Sequence, residues 1–433
     1  MNLYIDPGTG SMLFTVAMGL LAALVYAFRN VWIKAKVSLS GGRKRKDAGG
    51  TVPFVFFTDS RRYWNLFEPI CDEMEKRGQP VLYLTASEDD PALRKEYKSV
   101  RTEFAGKGNR AYARMNMLRA DVVLSSTPAL DVYQWKRSRD VKWYVHIPPG
   151  IYDLTKYRMF GIDYFDAVLL TGPFQEEAVR KLEQLRDLPA KELTVVGMPY
   201  LDEMRRRLQA EGEPLKDPGA PPTVLLAPSW GKSSIFNRFG DRIFDALLQT
   251  GCRLIVRPHP QSFDSEADLI ARLAAKYPDS ETLEWDRKDD NYDSLRRADL
   301  LITDFSGIVL DFAFLFGRPV IWADTEFDPK PYDASWLDEP MWIMRVLQNL
   351  GAPLTEDNID RIGEIIRSCL ESADLRESIA KARAEAWSHI GESAERIADY
   401  LIQKRAELEI QTAPSNTSEK AGIACTNEAR RAG

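Results

Sequence analysis

Short apolar runs alternate with amphipathic helical stretches along most of this chain. In the first half, six runs of six to eight residues have the length and composition of buried strands. Helical periodicity separates several of them, most clearly at residues 65–76 and 173–185. The alternation predicts a parallel sheet covered by helices on both faces. The predicted strands of this half are residues 52–57, 80–85, 120–126, 141–147, 165–172 and 192–197.

A charged stretch rich in Gly and Pro, residues 206–222, interrupts the alternation and predicts a hinge. The strand–helix pattern then restarts and ends in a region, residues 355–408, that is predicted to be helical throughout. We therefore expect two α/β domains, at 52–205 and 223–408, which fits a length of 433 residues. The polar residues 409–433 are predicted to form a disordered tail. The predicted strands of the second half are residues 223–229, 253–260, 299–304 and 318–323.

The N-terminal 37 residues predict a membrane anchor. Residues 10–28 contain no charged side chain, and a helix of this length crosses a bilayer. No Lys or Arg precedes the apolar run, whereas a basic, Gly-rich linker follows it at residues 38–51. The positive-inside rule then predicts a single-pass protein of the inner (plasma) membrane, with its N-terminus outside and its two α/β domains in the cytoplasm. The alternative is a buried core helix.

Composition excludes few functions but limits the available chemistry. A net charge of -6 gives no reason to expect a nucleic acid partner. The four cysteines are scattered without the spacing of a metal site and are predicted to be free thiols. Any histidine chemistry must use His146, His259 or His389, which are the three histidines of the chain.

A polar cluster interrupts one of the most apolar segments. Thr303 and Asp304 end a predicted strand, and Ser306 and Gly307 precede a predicted helix at residues 308–316. We take these four residues as candidates for binding pyrophosphate. The N–H groups at a helix N-terminus are unpaired and the helix dipole is positive there, so the site favours an anion such as phosphate. Gly307 leaves room for the close approach of a ligand. In the alternative interpretation, Ser306 merely caps its own helix.

The same helix carries a carboxylate, Asp311, among apolar residues. A buried carboxylate without a partner is costly. We expect Asp311 to be structural and to pair with Arg257 or Arg318, or else to face the cleft.

Two further strand ends carry candidate ligands for phosphate. Pro258 and Pro260 fix the backbone on either side of His259, in the sequence "RPHP". Arg257 suits bidentate phosphate binding, and His259 suits donation of a hydrogen bond or a proton. Ser229 offers a hydroxyl in the Gly-containing loop "APSWGKSS".

His146 ends a predicted strand of the first half. If the carboxyl ends of the two sheets face each other, His146 faces the cleft between the domains and suits the role of general base for an acceptor hydroxyl. The alternative is a half-buried structural histidine. His389 lies in the helical C-terminal region and is predicted to be structural.

Familiar cofactor and metal motifs do not occur. The sequence has no P-loop, no G-x-G-x-x-G, no H-E-x-x-H, no C-x-x-C and no Asp-x-Asp pair. We therefore predict no metal and no resident cofactor.

Taken together, the quoted motifs resemble one family. The segments "LLAPSWG", "RPHP" and "YDSLRRADLLITDFSGIVLDFAFLFGRPVIW" occur in the order and rough spacing of the CDP-glycerol glycerophosphotransferases, the teichoic-acid primases and polymerases. In the first half the resemblance is carried by "WYVHIPPG" and "VVGMPYLD". It implies a GT-B fold, with two Rossmann-like domains facing across a cleft. It also implies transfer of glycerol phosphate from CDP-glycerol to a hydroxyl of a membrane-bound acceptor, with His259 and Ser306 on the donor pyrophosphate and His146 as base.

One motif departs from the family pattern. Where the family reads Trp-His-Gly-Thr-Pro-Leu-Lys, this chain reads "YVHIPPG" at residues 144–150, without the Gly-Thr pair and the Lys. A ribitol phosphate donor would use the same pyrophosphate-binding groups. Two alternatives stay open: a GT-B glycosyltransferase or epimerase that uses a UDP-sugar, and a membrane protein that binds nucleotides without turnover.

Overall fold

A computed structural model describes residues 51–412 apart from 215, 216, 218, 289, 305 and 325–327. The predicted membrane segment at residues 10–28 lies outside the described residues, as does the tail from residue 413. Among the helices that are described, none is long and apolar enough to cross a membrane.

The first sheet is built from apolar strands that are buried along most of their length. Residues 54–57, for example, are fully buried. The strands are β1 (Val52–Thr58), β2 (Val81–Thr85), β3 (Val100–Phe104), β4 (Arg119–Ser125), β5 (Asp140–His146), β6 (Ala167–Leu170) and β7 (Glu192–Val195). They pair in the order β3-β2-β1-β4-β5-β6-β7, and every pair is parallel.

The second sheet repeats this plan with shorter strands. They are β8 (Thr223–Leu226), β9 (Arg253–Val256), β10 (Leu283–Trp285), β11 (Leu300–Thr303), β12 (Val320–Ala323) and β13 (Gly351–Leu354). Their order is β10-β9-β8-β11-β12-β13, again with every pair parallel. The chain therefore forms two Rossmann-like domains, as predicted.

Helices cover both sheets. The α-helices are α1 (Trp64–Lys76), α2 (Asn109–Met115), α3 (Phe174–Leu185), α4 (Pro199–Glu211), α5 (Ile235–Phe239), α6 (Asp241–Leu248), α7 (Ser262–Ser265), α8 (Ala267–Lys276), α9 (Tyr292–Arg297), α10 (Ile308–Phe316), α11 (Trp342–Leu350), α12 (Ile362–Glu371), α13 (Ala373–Ala386) and α14 (Ser393–Thr412). Short 3₁₀ turns lie at Arg61–Tyr63, Pro91–Arg94, Leu154–Lys156, Asp333–Trp336 and Ile359–Arg361.

The ends of several elements differ from the sequence predictions. Helix α4 continues to Glu211, so the link between the domains begins at Gly212 and not at residue 206. The region predicted to be helical throughout is interrupted at residues 387–392. Three strands were not predicted. Strand β3 is largely polar, β13 contains a Pro, and β10 has only three residues.

The last helix, α14, packs on the first domain although the sequence analysis assigned it to the second. It lies against α1 and β4, and the Arg405 guanidinium is 3.2 Å from the carboxylate of Asp121 in β4. The helix continues to Thr412, beyond the predicted start of the tail at residue 409. The C-terminal region therefore ties the two domains together.

The stretch "VVGMPYLD" in the first domain makes room for the C-terminal chain segment that passes from the second domain to the first. Gly197 has a positive φ of 94°, and a Cβ atom there would lie 2.4 Å from the carbonyl oxygen of Ser388, so a side chain would block the crossing segment. Asp202 then accepts hydrogen bonds from the N–H groups of Gly391 (2.8 Å) and Ser393 (3.0 Å). This motif is therefore structural.

Two buried carboxylates hold the domains against each other. Asp153, in the loop after β5, accepts hydrogen bonds from the N–H groups of Trp342 (2.8 Å) and Ile343 (2.9 Å) at the start of α11. The carboxylate thereby satisfies free amides of a helix in the other domain and complements its dipole.

The second carboxylate, Asp333, lies in the segment that leads from β12 to α11 and is fully buried. It accepts hydrogen bonds from the N–H groups of Phe160 (2.7 Å) and Gly161 (3.0 Å) in the first domain. It also pairs at 2.6 Å with the guanidinium of Arg186, which bonds Asp163 as well. A loop of the second domain is thus anchored inside the first.

Asp311 pairs with neither of the expected arginines. Arg257 pairs with Asp286, and Arg318 pairs with Glu213. Asp311 keeps a small exposed area but is closely surrounded by protein. This burial raises the pKa of Asp311 to about 7, and among the described residues no neighbouring charge offsets it.

Removing the anchor at Asp333 is expected to destabilise the protein strongly. Asp333→Ala leaves Arg186 and two backbone N–H groups buried without this acceptor, which typically costs about 3–5 kcal/mol of the free energy of unfolding. Urea denaturation followed by circular dichroism measures it. The control is Glu377→Gln, which breaks an exposed ion pair with Lys381 and should leave the midpoint almost unchanged. Equal midpoints for the two variants would contradict the anchor.

Asp311→Asn is expected to stabilise the protein at high pH only. Because the folded state raises the pKa of Asp311 from 3.8 to about 7, the native protein holds this proton more tightly than the unfolded chain. The cost of the carboxyl group therefore grows as the pH rises from about 4 to about 7. The variant should melt about 2–4 °C above the wild type at pH 8 and at the same temperature at pH 4. A pH-independent difference would exclude titration of Asp311 as the cause.

Candidate active site

The candidate site is a cleft between the two domains. It contains about 370 Å³ of empty space, part of it open to solvent. Because both sheets are parallel, polar residues that follow their strands collect at the carboxyl edges, next to the points where the strand order reverses. The cleft is lined from the first domain by Tyr152, Asp153 and Lys156, and from the second by Asp304, Ser306 and Gly307.

The N-terminus of α10 opens into this cleft, as the sequence predicted. Gly307 is its N-cap residue, and within the described residues no side chain caps the helix, so Ser306 is not an ordinary cap. A Cβ atom on Gly307 would meet nothing within 4 Å, which shows the open space in front of the helix. This arrangement suits a phosphate group.

Asp304 and Thr303 were predicted to bind pyrophosphate, and in the structure both side chains have partners within their own domain. The Asp304 carboxylate accepts hydrogen bonds from the N–H groups of Ser229 (2.8 Å) and Ile235 (3.2 Å). The Thr303 hydroxyl is buried and donates to the carbonyl of Ala227 at 2.7 Å. Both residues fix the loop after β8 to the end of β11. Binding of the donor by Ser229 stays a prediction.

His259 is half-buried at the end of β9 and is oriented by its own backbone. The N–H of Gln261 donates to His259 Nδ1 at 3.1 Å. A neutral imidazole whose Nδ1 accepts carries its proton on Nε2, so His259 has a hydrogen-bond donor to offer. Burial and the charge of Arg62 lower the pKa of His259, whereas Asp304 and Glu266 act in the opposite direction.

The charge of Arg62, a residue of the first domain, acts on His259 of the second. Arg62 lies in the 3₁₀ turn that follows β1, at the carboxyl edge of the first sheet. The sequence analysis did not single it out, since an Arg in a loop has no distinctive pattern.

Arg257 was predicted to bind phosphate, but its guanidinium is already occupied by other partners. Its guanidinium is buried, pairs with Asp286 at 2.6 Å and donates to the carbonyl of Lys288 at 2.8 Å. The physical reason is that Asp286 and the carbonyl of Lys288, in the same domain, hold the guanidinium away from the cleft. We therefore assign Arg257 a structural role beneath the site.

His146 lies at the end of β5 but is fully buried. Its ring packs between Tyr157 and Phe165, with centroid distances of 5.2 and 5.0 Å. Its Nε2 is 2.8 Å from the hydroxyl oxygen of Tyr157, and its Nδ1 makes no hydrogen bond of normal geometry within the described residues. Burial lowers the pKa of His146 to about 3, so the ring is neutral at physiological pH. The expected open position facing the cleft is therefore not found.

Lys156 and Tyr152 were missed by the sequence analysis. Both lie in the loop between β5 and β6 and line the cleft opposite Ser306 and Gly307. Burial lowers the pKa of Lys156, and the charge of Asp153 acts in the opposite direction. The only sequence signal was the position of this loop, directly after "HIPPG".

Comparison with protein families supports the resemblance that the sequence motifs suggested. Residues 164–403 match the family described as CDP-Glycerol:Poly(glycerophosphate) glycerophosphotransferase, which is more than half of the chain. No curated protein sequence matches the chain.

Solved structures share the fold at low sequence identity. The wall teichoic acid polymerase TagF is 15% identical, with a TM-score of 0.53 over 91% of this chain and 99% of that one. The UDP-GlcNAc 2-epimerase of Methanocaldococcus jannaschii is 14% identical, with a TM-score of 0.53 over 81% of this chain and 99% of the epimerase chain. The UDP-GlcNAc 2-epimerase of Neisseria meningitidis is 12% identical, with a TM-score of 0.52 over 81% of this chain and 100% of the epimerase chain. Likeness at this level shows a GT-B-like fold.

The resemblance seen in the motifs and the match over residues 164–403 agree. The chain belongs to the CDP-glycerol glycerophosphotransferase family and is a transferase that uses a nucleotide-activated donor.

Proposed function

We propose that the protein transfers glycerol phosphate, or a related polyol phosphate, from a CDP-activated donor to a hydroxyl of a lipid-linked acceptor of the cell envelope. The observation that carries the proposal is the uncapped start of α10, which opens into the cleft between two domains of this family's fold. Phosphoryl transfer needs alignment and charge stabilisation more than covalent help, and an anion site between two domains provides both.

Donor binding is assigned to the second domain. The start of α10 at Gly307 and the hydroxyl of Ser306 receive the pyrophosphate, and Nε2–H of His259 donates to the same group. The acceptor hydroxyl attacks the phosphorus that carries glycerol, a new O–P bond forms, and the bond to the CMP oxygen breaks. No metal or cofactor is included, and this stays a prediction.

Lys156 supplies the cation that faces the donor phosphates from the first domain. It lines the cleft opposite Ser306 and Gly307, where its charge adds to the positive end of α10. The lysine of the family's first motif is absent at residues 144–150, and Lys156 brings a lysine to the cleft from a later position.

The proposed location is the cytoplasmic face of the plasma membrane. It is supported by the uncharged residues 10–28 and the basic residues that follow them. A membrane anchor would keep the enzyme beside a lipid-linked acceptor, and the cytoplasm is where an activated nucleotide donor is available.

CDP-glycerol is expected to bind and stabilise the protein. A ligand at 100 times its Kd adds about 2.7 kcal/mol to the free energy of unfolding, which raises the melting temperature. We expect the rise with CDP-glycerol or CDP-ribitol and not with UDP-sugars, measured by differential scanning fluorimetry. His259→Ala should weaken binding about 10- to 100-fold because one hydrogen bond to a charged group is lost. His389→Ala is the control. Stabilisation by UDP-sugars alone would favour the glycosyltransferase or epimerase alternative.

Product analysis separates a transferase from a binding protein. With CDP-glycerol and a lipid-linked glycerol phosphate oligomer, the wild type should release CMP and extend the acceptor by one glycerol phosphate. Binding without CMP release would contradict the proposed transfer.

Lys156→Met is expected to weaken binding of CDP-glycerol about 10- to 100-fold, because a charged contact to phosphate is lost. Lys156→Arg should keep most of the affinity. Lys98→Met removes the same charge from an exposed position and should leave the affinity unchanged. Isothermal titration measures all three. Equal affinities of Lys156→Met and the wild type would exclude Lys156 from the donor site.

A further inference from the structure

Exposed hydrophobic side chains are concentrated at one end of the first domain. Among the described residues, five large hydrophobic side chains are more than half exposed: Met117 (63%), Tyr133 (54%), Leu185 (54%), Trp230 (52%) and Ile410 (75%). A single exposed side chain of this kind needs no explanation. Four of the five lie on the first domain, however, and the topology brings all four to the same edge of its sheet.

That edge is the amino edge of the first sheet. In a parallel sheet, each crossover returns the chain from the carboxyl ends of the strands to their amino ends. Met117 lies between α2 and β4, and Leu185 is the last residue of α3, which leads to β7. Tyr133 lies in the segment that leads to β5. The side chain of Asn116 donates to the carbonyl of Gln134 at 3.0 Å, so the segments that carry Met117 and Tyr133 lie side by side.

Helix α14 brings Ile410 to the same edge from the other face of the sheet. The helix begins beside α4, where Asp202 accepts a hydrogen bond from the N–H of Ser393 at 3.0 Å. At Arg405 it has reached Asp121, near the start of β4. It therefore runs opposite to the strands, and its last turns extend to the amino edge.

The charges at this edge suit an anionic surface. Arg119, Lys136 and Arg139 are exposed. Two carboxylates lie near them, Asp140 at 3.7 Å from Arg119 and Asp131 at 3.9 Å from Lys136. Such exposed pairs are weak, so the three cations remain available to other anions. The sequence adds four consecutive basic residues at 43–46, shortly before the described chain begins.

The described chain also enters the first domain at this edge. Val52 is the first residue of β1 and pairs with Ala120, near the start of β4. The uncharged residues 10–28, which are proposed as the membrane anchor, precede it in the sequence. The amino edge therefore combines exposed apolar side chains, exposed cations and the link to the proposed anchor.

These features fit a lipid surface better than a second protein chain. A stable protein interface buries about 800 Å² of each partner around a contiguous apolar core. Here the apolar side chains are separate, are carried by helices on both faces of the sheet and alternate with exposed charges. Apolar and aromatic side chains among Arg and Lys suit the boundary between headgroups and acyl chains.

We propose that the amino edge of the first sheet, with Met117, Tyr133, Leu185 and Ile410, rests on a bilayer that contains anionic lipids. The inference rests on the proposed function, which places the enzyme beside a lipid-linked acceptor. The candidate site lies at the opposite, carboxyl edge of the sheet. Strand β1 has 7 residues and is about 23 Å long, so the reacting hydroxyl of the acceptor is held about that far from the headgroups. An acceptor with a long hydrophilic part reaches the site, whereas a short one does not.

Site-specific photo-crosslinking of the full chain tests the contact. The photoreactive amino acid p-benzoylphenylalanine replaces Met117 or Ile410, and the protein is placed in nanodiscs of phosphatidylcholine and phosphatidylglycerol. The matched control position is Leu248, the exposed last residue of α6, which leads to β9 in the second domain. We expect about 10-fold more lipid adduct at Met117 and Ile410 than at Leu248, because a side chain at the headgroup boundary stays in contact with lipid. Mass spectrometry measures the adducts.

Equal lipid adducts at Met117 and Leu248 would overturn the membrane contact. Adducts between two copies of the chain at Met117, in place of lipid adducts, would overturn it as well and would indicate a dimer interface. Thermal melting followed by circular dichroism verifies that each substituted protein keeps the wild-type fold.

Turnover by the wild type tests the consequence for the acceptor. With CDP-glycerol, CMP release should be fast with a lipid-linked glycerol phosphate oligomer and slow with a lipid that carries a single glycerol phosphate. Equal rates with these two acceptors would contradict the proposed orientation. Absence of CMP release with every acceptor would instead reject the proposed transfer, and the photo-crosslinking result would still decide the membrane contact.

Discussion

The hydrogen bonds of Asp153 with the start of α11 are the constraint on which the site depends. They join a loop of the first domain to a helix of the second, in the middle of the cleft wall. The same loop presents Tyr152 and Lys156, so the distance between these side chains and the start of α10 is set by this contact. Asp333 fixes the far end of the interface in the same manner, with a buried carboxylate that accepts backbone N–H groups.

In the proposed function, the two domains contribute different groups to the site around that contact. The second domain supplies fixed dipoles and donors: the start of α10, held in place by Asp304 under the loop after β8, and His259 with its proton on Nε2. The first domain brings Lys156 and Tyr152 to the cleft. Such a division suits a reaction in which one substrate is a charged nucleotide and the other is a neutral hydroxyl. It also explains why neither domain contains a complete site.

Burial has different consequences at different polar groups of the molecule. At Asp304 and Asp333 it is compensated by several backbone donors, and the carboxylates serve as rigid joints. At His146 and Asp311 no charge among the described residues offsets the burial, and the pKa of each group moves to favour the neutral form. His146 is therefore a neutral ring held by Tyr157, whereas Asp311 lowers the stability of the folded protein when it is ionised.

Much of the architecture was determined by the sequence alone. Apolar runs with buried-strand composition, broken by Gly, Pro and helical periodicity, define two parallel sheets. The polar residues at the carboxyl ends of the strands give Ser306 and His259 as candidate site residues. These signals are local, so a single chain displays them. The tertiary structure decided what depends on distant contacts: that Arg257 turns inward to Asp286, that His146 is buried beneath Tyr157, and that Lys156 and Tyr152 reach the cleft. The direction and burial of a side chain are set by residues far away in sequence, and no spacing rule encodes them.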